Sequence, residues 1–149
     1  MSKQPPSNIC TFAQNSEKKF KVPTCVQLAQ WIDESGWGAH SPGNNPFGMK
    51  PRKGMNDPSQ TLMTNEEING KLVKMPQPFR IFPSLQDAFD AHAQLLSTAP
   101  VYQEAFKALP DVNTFITLMA KHYATDSKYG TKIIGLIKSQ GLNAYDLKV

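Results

Sequence analysis

The dipeptide Asn69-Gly70 restricts the fold of this chain more than any other feature, because it lies between two runs of apolar and β-branched residues. Asn-Gly readily adopts the positive φ angles of a type I′ turn, the turn that joins two antiparallel strands. We therefore predict a β-hairpin in the stretch QTLMTNEEINGKLVKM. Side chains alternate along a strand, so Glu66 and Glu67 point to opposite faces. The face of Glu66 is predicted to include Leu62, Thr64 and Ile68.

On both sides of this hairpin the apolar residues recur with helical spacing. Ser84 and Asp126 carry short oxygen side chains of the kind that cap helix N-termini, Pro23 suits a first helical turn, and Gly141 suits a helix end. The predicted helices cover residues 9–19, 23–35, a segment that follows Ser84, and residues 101–109, 112–123 and 127–139. A mostly helical chain with one small hairpin has an α+β fold. We predict a flexible tail over residues 1–8 and a single domain over residues 9–149, with a β lobe over about 46–83.

The second predicted helix has two different faces. Its apolar stripe is predicted to face the core and contains Cys25, Leu28, Ala29 and Ile32. Glu34 falls on the other face, which we predict to line a cleft together with Gln27, Gln30 and Trp31. The partial negative charge at a helix C-terminus disfavours an ionised acid, so Glu34 stands where its protonated form is favoured.

Composition and charge narrow the function classes. The net charge of +4 comes from scattered lysines rather than from a basic stripe, which argues against nucleic acid as a partner. No apolar run reaches the length of a membrane span, and the N-terminus lacks the pattern of a signal peptide, so we expect synthesis in the cytoplasm and no membrane insertion. Cys10 and Cys25 are too few for a disulfide scaffold, and their redox state is left open.

The candidate chemistry is a pair of carboxyl groups, Glu34 on a helix end and Glu66 on the hairpin. Glycoside hydrolysis needs one acid to protonate the leaving oxygen and a second group to stabilise or attack the opposite side. Aromatic and amide side chains that can bind sugars lie near these acids in sequence: Trp31, Trp37, Asn44, Asn45 and Phe47. The alternative is that both glutamates are solvated and the aromatic residues form the core.

Other assignments compete for the remaining polar residues. Asp126 is either a helix cap or part of the cleft, and Tyr123 is either a core residue or a cleft residue. Cys25, in a first helical turn, could act with a histidine as a Cys-His hydrolase, although its place on the apolar face favours a buried thiol. His92 and His122 are interpreted as structural residues with satisfied hydrogen bonds. No histidine has metal-ligand spacing, so we predict no metal and no cofactor.

Five blocks taken together resemble one known family: LAQWIDESGWG, NNPFGMK, TNEEINGK, FRIFPS and YATDSKYGTKI. In this order, from about Val22 to Asp146, they are similar to the peptidoglycan N-acetylglucosaminidases of glycoside hydrolase family 73, the flagellar-type enzymes. The sequence departs from the family pattern at Asp33, where an apolar residue is common, and at Ser127, where proline is usual. The pair Glu66 and Glu67 leaves two registers for the second acid.

The resemblance implies a lysozyme-like fold with a groove between a helical and a β lobe, and cleavage of the β-1,4 bond on the reducing side of N-acetylglucosamine. Glu34, Glu66 and Tyr123 map to the catalytic positions, with Glu34 as general acid. The expected sugar site contains Trp37, Asn45, Phe47 and Asp126. A muramidase and a non-catalytic glycan-binding module are the alternatives.

Peptidoglycan glycan strands are the expected partner of a monomeric protein that acts on the periplasmic or extracellular cell wall. A phage endolysin and a secreted effector both fit this expectation, and an effector would add an immunity or carrier protein as a partner.

Overall fold

The computed structural model describes residues 3–147, so residues 1 and 2 of the predicted tail lie outside the described part. The described chain contains six α-helices and a two-stranded antiparallel sheet. The helices are α1 (Ser7–Phe20), α2 (Thr24–Ser35), α3 (Leu85–Thr98), α4 (Gln103–Lys107), α5 (Val112–Tyr123) and α6 (Tyr129–Gln140). The strands are β1 (Ser59–Ile68) and β2 (Lys71–Arg80), and short 3-10 turns cover Pro42–Asn44, Pro100–Tyr102 and Leu142–Tyr145. The predicted α+β, lysozyme-like fold is confirmed.

The hairpin forms where the sequence predicts it. Asn69 and Gly70 both have positive φ, 53° and 77°, as a type I′ turn requires. Strand pairing runs without interruption from Ile68 opposite Lys71 to Ser59 opposite Arg80. Exposure alternates along β1, and the half-buried side is the predicted face of Leu62, Thr64 and Glu66.

Helix α2 runs through the centre of the helical lobe. Its predicted apolar stripe is buried, which confirms the core assignment. The predicted cleft face is wrong for most of its length, because Gln27, Gln30 and Trp31 are also buried. The reason is that α1, α6 and the final 3-10 turn pack around this helix from different sides. The side-chain amide of Gln27 donates hydrogen bonds to the carbonyls of Ala13 and Val22, so its N–H groups are not available to a ligand.

The ends of the helices show where short-range sequence signals were sufficient to predict the helix bounds and caps. Helix α5 has the predicted bounds, and Ser84 caps α3 by accepting a hydrogen bond from the Asp87 N–H at 3.1 Å. Helix α1 begins at Ser7, so two residues of the predicted tail are helical. The predicted N-cap role of Asp126 is wrong, since α6 begins only at Tyr129 and Asp126 accepts instead from the Lys128 N–H in the preceding turn. The predicted helix over 101–109 is a 3-10 turn followed by the five-residue α4.

Both cysteine thiols are free and buried. Burial, with the neighbouring Asp146 carboxyl as the next cause, raises the pKa of the Cys25 thiol far above its ordinary value of 9.0. A thiol that stays protonated and is inaccessible cannot serve as a nucleophile. The structure therefore argues against the Cys-His hydrolase. Within residues 3–147 no helix combines the length and the apolarity that a membrane crossing needs.

The turn after α2 is closely packed around Gly38. This residue has φ 84°, and a Cβ atom built on it would lie 2.7 Å from Cζ2 of the buried Trp31. Its N–H donates to the Ser35 hydroxyl at 2.8 Å, which ties the turn to the last residue of α2. Glycine is needed here both for the backbone conformation and for the close approach of the Trp31 ring.

We predict that Gly38→Ala lowers the free energy of unfolding by about 2–4 kcal/mol, because it adds left-handed backbone strain to a clash with Trp31. Gly135→Ala is the matched control, since Gly135 lies within α6 and a Cβ there meets no atom within 4 Å. That variant should gain about 0.5–1 kcal/mol from helix propensity. Urea unfolding followed by circular dichroism measures both values. Equal stability of the two variants would contradict the packing described for Gly38.

Candidate active site

Glu34 lies in the last turn of α2, where the buried helix reaches a groove between the helical lobe and the hairpin. Its side chain lines two neighbouring cavities. The larger has a volume of about 650 Å³ and is bounded by α3, Tyr102, Tyr123 and the segment that precedes the hairpin. The smaller has a volume of about 220 Å³ and is bounded by Leu62, Met63, Thr64 and Phe79 of the hairpin and by residues 40–48. Glu34 and Gly48 line both cavities, and Glu34 is the one of the two that carries an ionisable group.

Two tyrosine hydroxyls hold the Glu34 carboxyl group. The Tyr123 hydroxyl, at the end of α5, lies 3.3 Å from Oε2, and the Tyr129 hydroxyl, at the start of α6, lies 3.2 Å from Oε1. The two rings stack with their centroids 5.4 Å apart. The sequence predicted Tyr123 near the acid but missed Tyr129. The available signal was its place in the block YATDSKYG, one short turn after Tyr123.

The environment of Glu34 favours its protonated form. Burial raises the pKa of this carboxyl from 4.5 to about 8, the two tyrosine hydrogen bonds oppose the rise, and the nearby charge of Asp33 adds to it. The direction agrees with the one predicted from the helix C-terminus, and Trp31 and Trp37, named as candidates for sugar binding, do not line either cavity in the described chain. The desolvation comes from the packed walls of the groove itself.

A buried hydrogen-bond chain supports the tyrosine pair. The amide Nε2 of Gln30, one turn before Glu34 on α2, donates to the Tyr129 hydroxyl at 3.0 Å. The Tyr129 hydroxyl can then donate its own proton only to a further acceptor, which is Glu34 Oε1. Burial, with the Glu34 charge as the next cause, raises the pKa of both tyrosines well above 10, so both remain donors.

Glu66 and Glu67 lie on opposite faces of β1, and in the described chain neither side chain lines the two cavities. Leu62 and Thr64, on the half-buried face of Glu66, line the smaller cavity, and so does Met63 from the other face. The Thr64 hydroxyl donates to Glu66 Oε1 at 2.9 Å, which orients this carboxylate. Glu67 is exposed on the opposite face. The register is therefore consistent with the prediction of Glu66, whose catalytic role stays a prediction.

Phe47 and Asn45 lie in the groove wall in different ways. Phe47 lines the larger cavity although it is mostly buried, because its ring stacks on His92 at 4.1 Å and meets Phe89 edge to face. Asn45 uses both amide N–H groups on the carbonyls of Met49 and Arg80, and its oxygen accepts from the Met49 N–H. These bonds hold the segment 45–49 against the end of the hairpin, and Asn45 also lines the smaller cavity, so its contact with a sugar stays a prediction.

Two predicted sugar-binding residues lie outside these cavities. Trp37 packs edge to face on Trp31, and the Lys3 ammonium group covers its ring at 4.9 Å from the centroid. Asp126 lines a separate cavity between α5 and α6 and approaches Lys132 to 3.8 Å. Nearness in sequence to Glu34 or Tyr123 did not bring either side chain into the groove, because the turns after α2 and α5 direct them elsewhere.

His92 supports the site from behind. It is fully buried between Phe47 and Tyr123, and neither ring nitrogen has a hydrogen-bond partner in residues 3–147. Burial lowers its pKa to about 3, so the ring is neutral. The predicted structural role holds, but His92 acts through ring packing rather than through the satisfied hydrogen bonds we expected. Residues 3–147 contain no group of three or more acidic, histidine or cysteine side chains placed to hold a metal ion.

The sequence analysis also missed a cationic wall. Lys50, Arg52 and Arg80 line the larger cavity, and they lie 30 residues apart in the chain at most. Arg80 stands at the end of β2, and its guanidinium group lies 4.6 Å from the centroid of the Phe82 ring. The lysines and arginines were scattered in sequence, so only the fold brings these three together.

Comparison with known proteins places this arrangement in a family. The Glucosaminidase family model, described as mannosyl-glycoprotein endo-beta-N-acetylglucosaminidase, matches residues 10–142. The chain is 34% identical over 132 residues to an autolysin of Enterococcus faecalis, covering 81% of this chain and 18% of the relative. It is 32% identical over 131 residues to a probable N-acetylmuramidase of Lactococcus lactis subsp. cremoris, covering 81% and 30%. It is 31% identical over 144 residues to the peptidoglycan hydrolase FlgJ of Salmonella typhimurium, covering 92% and 45%.

The chain therefore spans less than half the length of these curated relatives. Among solved structures, the catalytic domain of the autolysin Auto from Listeria monocytogenes superimposes with a TM-score of 0.80 and 27% identity, covering 97% of this chain and 90% of that one. The match of the family model over nearly the whole described chain, with the motifs in family order, shows that this chain belongs to the Glucosaminidase family, glycoside hydrolase family 73.

Proposed function

We propose that this chain hydrolyses the β-1,4 bond between N-acetylglucosamine and N-acetylmuramic acid in peptidoglycan, with Glu34 as general acid. One observation carries the proposal: a carboxyl group with its pKa raised to about 8 lies where two halves of a groove meet. Such a group keeps its proton at neutral pH and can deliver it to a leaving oxygen. The Salmonella typhimurium relative is named a peptidoglycan hydrolase, which supports the choice of substrate.

The tyrosine pair supports the second half of this proton transfer. When Glu34 gives up its proton it becomes a buried anion, which would be costly without partners. The hydroxyls of Tyr123 and Tyr129 already lie within 3.3 Å of its two oxygens and can donate to the new carboxylate. Hydrogen bonds to a charged group are stronger than those to a neutral one, so the pair favours the product side of the transfer.

Glu66 is proposed as the second carboxyl group, acting as base or as stabiliser of the positive charge on the sugar. It lies on a hairpin that joins the rest of the chain at its base, where the Arg80 and Ile81 N–H groups donate to Met49 and Pro58. Toward its tip the hairpin is exposed on both faces. We infer that the hairpin moves toward the helical lobe when a glycan strand is bound.

A muramidase is the second candidate, because a relative at 32% identity is named a probable N-acetylmuramidase. The two activities cut alternate bonds of the same strand and leave different reducing ends. Digestion of purified peptidoglycan followed by mass spectrometry of the reduced products separates them. New N-acetylglucosamine ends support our proposal, new N-acetylmuramic acid ends support the muramidase, and no new ends support a glycan-binding module.

We propose that the chain acts on the bacterial cell wall, since the Enterococcus faecalis relative is named an autolysin and the Salmonella typhimurium relative a peptidoglycan hydrolase. The catalytic set in this proposal is Glu34, Glu66 and Tyr123, with Tyr129 added by the structure. Phe47, which lines the larger cavity, is proposed to contact the sugar.

We predict that Glu34→Gln lowers kcat by at least about a hundredfold, because the amide cannot donate a proton to the leaving group. Glu66→Gln should also lower kcat strongly, whereas Glu67→Gln, on the opposite strand face, should retain activity near that of the wild type. Release of reducing ends from peptidoglycan measures all three. Full activity of Glu34→Gln would refute the proposed acid, and a loss in Glu67→Gln but not in Glu66→Gln would move the second role to Glu67.

The raised pKa of Glu34 also predicts a dependence of stability on pH. In the folded chain Glu34 keeps its proton up to about pH 8, whereas an ordinary glutamate ionises near 4.5. Between these values the folded state binds more protons than the unfolded state, so the free energy of unfolding falls as pH rises, by at most about 1.4 kcal/mol per pH unit. Glu34→Gln cannot ionise and lacks this contribution. The free energy of unfolding of the variant relative to wild type should therefore rise from about pH 4.5 to 8 and level off above pH 8. Urea unfolding at a series of pH values measures this difference. Parallel pH curves of the two proteins would argue against a buried, protonated Glu34.

Tyr129→Phe should move the alkaline limb of the pH-activity profile. In the wild type we expect kcat/KM to fall as pH rises through about 8, where Glu34 loses its proton. The Tyr129 hydrogen bond lowers the pKa of Glu34, so its removal shifts this limb to higher pH and costs about ten- to a hundredfold in kcat. Tyr145→Phe, in the final 3-10 turn and outside both cavities, is the control for removing a hydroxyl. An unshifted limb in Tyr129→Phe would mean that Tyr129 has only a packing role.

A further inference from the structure

The two walls of the larger cavity differ in charge. The side formed by α3 presents Ala91, Gln94, Leu95 and Thr98, none of which carries a charge. The other side presents Lys50, Arg52 and Arg80. In the described chain the only carboxyl group that lines this cavity is Glu34, and its raised pKa keeps it uncharged at neutral pH. The cavity is therefore a cationic site beside a proton donor.

One carboxylate, that of Asp57, holds Arg52 and lies near Arg80. Arg52 donates from Nε and Nη2 to the two oxygens of Asp57, at 2.9 and 2.8 Å, and Arg80 Nε lies 3.7 Å from the same group. The Asp57 side chain is only 5% exposed, and these hydrogen bonds with Arg52 hold its pKa well below the usual range. One anion thus fixes the guanidinium group of Arg52, lies close to that of Arg80, and can neutralise only one of the two positive charges. The Nη1 atom of Arg52 stays outside this pairing.

Lys50 adds a third positive charge that no carboxylate balances. It is exposed, and in residues 3–147 its ammonium group has no acidic oxygen within 4 Å. Its hydrogen bond, a long one of 3.4 Å, goes to the neutral side-chain oxygen of Gln77 on β2. The wall as a whole therefore carries about two uncompensated positive charges beside the cavity.

We propose that this wall binds the carboxylates of the stem peptide attached to the N-acetylmuramic acid on the leaving side of the scissile bond. This inference rests on the proposed function. The sugar rings of the strand are neutral and give cations no partner, whereas the peptide branch carries carboxylates that guanidinium and ammonium groups bind well. At about 650 Å³ the larger cavity has room for a sugar and its branch, while the cavity of about 220 Å³ on the other side of Glu34 suits an unbranched ring.

Charge and size thus assign the direction in which the glycan strand lies in the groove. N-acetylglucosamine lies against the hairpin residues Leu62 and Phe79, and the branched N-acetylmuramic acid lies between α3 and the cationic wall. Glu34, which lines both cavities, stands at the bond between them. Recognition of the peptide then orients the strand so that the correct one of its two alternating bonds reaches the acid.

The test measures binding of soluble, uncrosslinked glycan strands to the Glu34→Gln protein by calorimetry. Three kinds of strand are compared. The first has free stem-peptide carboxylates, and the second has these carboxylates converted to amides. The third has no peptides, so each N-acetylmuramic acid carries its free lactyl carboxylate. The first should bind about three- to tenfold more tightly than the other two, and higher salt should reduce the difference. Adding Lys50→Gln should remove most of this preference. Lys138→Gln, an equal loss of charge on the exposed end of α6, should leave it intact.

Equal affinity for the free-carboxylate and amidated strands would overturn the inference, and so would a preference that survives Lys50→Gln. If peptide-free strands bind as tightly as the free-carboxylate strands, the site binds the lactyl carboxylate instead, and the inference is also overturned. Hydrolysis by the wild-type protein is measured in parallel. Hydrolysis without a carboxylate preference refutes the peptide site alone, whereas a preference without any hydrolysis refutes the proposed function alone.

Discussion

The structure depends on how one carboxyl group is removed from water. Helix α2 is buried on all sides, and it delivers Glu34 from the centre of the helical lobe to the groove. Burial raises the pKa of this group, and the hydroxyls of Tyr123 and Tyr129 partly oppose the rise. Since these tyrosines belong to the end of α5 and the start of α6, the junction between those helices must stay fixed relative to α2. Lys132 on α6 assists by lying 3.7 Å from Asp33 on α2 and 3.8 Å from Asp126 within that junction.

The features that the sequence predicted correctly are those fixed by neighbours in the chain. The turn at Asn69-Gly70, the cap at Ser84 and the bounds of α5 depend on contacts within a few residues, so propensity and capping rules were sufficient. The amphipathic interpretation of α2 failed because its polar face is buried by distant parts of the chain. Gln30 meets Tyr129 across 99 positions, and no local pattern encodes that partner.

The same distinction explains the site. Glu34, Tyr123, Trp37, Asn45 and Asp126 all belong to blocks that resemble a family, yet Trp37 and Asp126 lie outside both cavities of the groove. A positive φ at Trp37 turns its ring back toward Trp31, and Asn45 is committed to the backbone of Met49 and Arg80. The cationic wall follows from tertiary structure alone, and although Tyr129 lies in the block YATDSKYG, only the fold shows its hydrogen bond to Glu34. Chemistry-bearing residues near an acid in sequence are therefore weaker evidence for a site than residues on separate elements that converge on it.

The cationic wall and the proton donor place opposite demands on the groove. Positive charge close to Glu34 would favour its anion and lower its pKa, which would weaken it as an acid at neutral pH. The pKa of Glu34 is set chiefly by burial, then by its two tyrosines and Asp33, rather than by the three cations. Two features account for this separation: the cations lie in a wide cavity open to screening by solvent, and Asp57 offsets part of their charge. The groove can thus attract an anionic branch of a substrate while it keeps the acid beside the bond protonated.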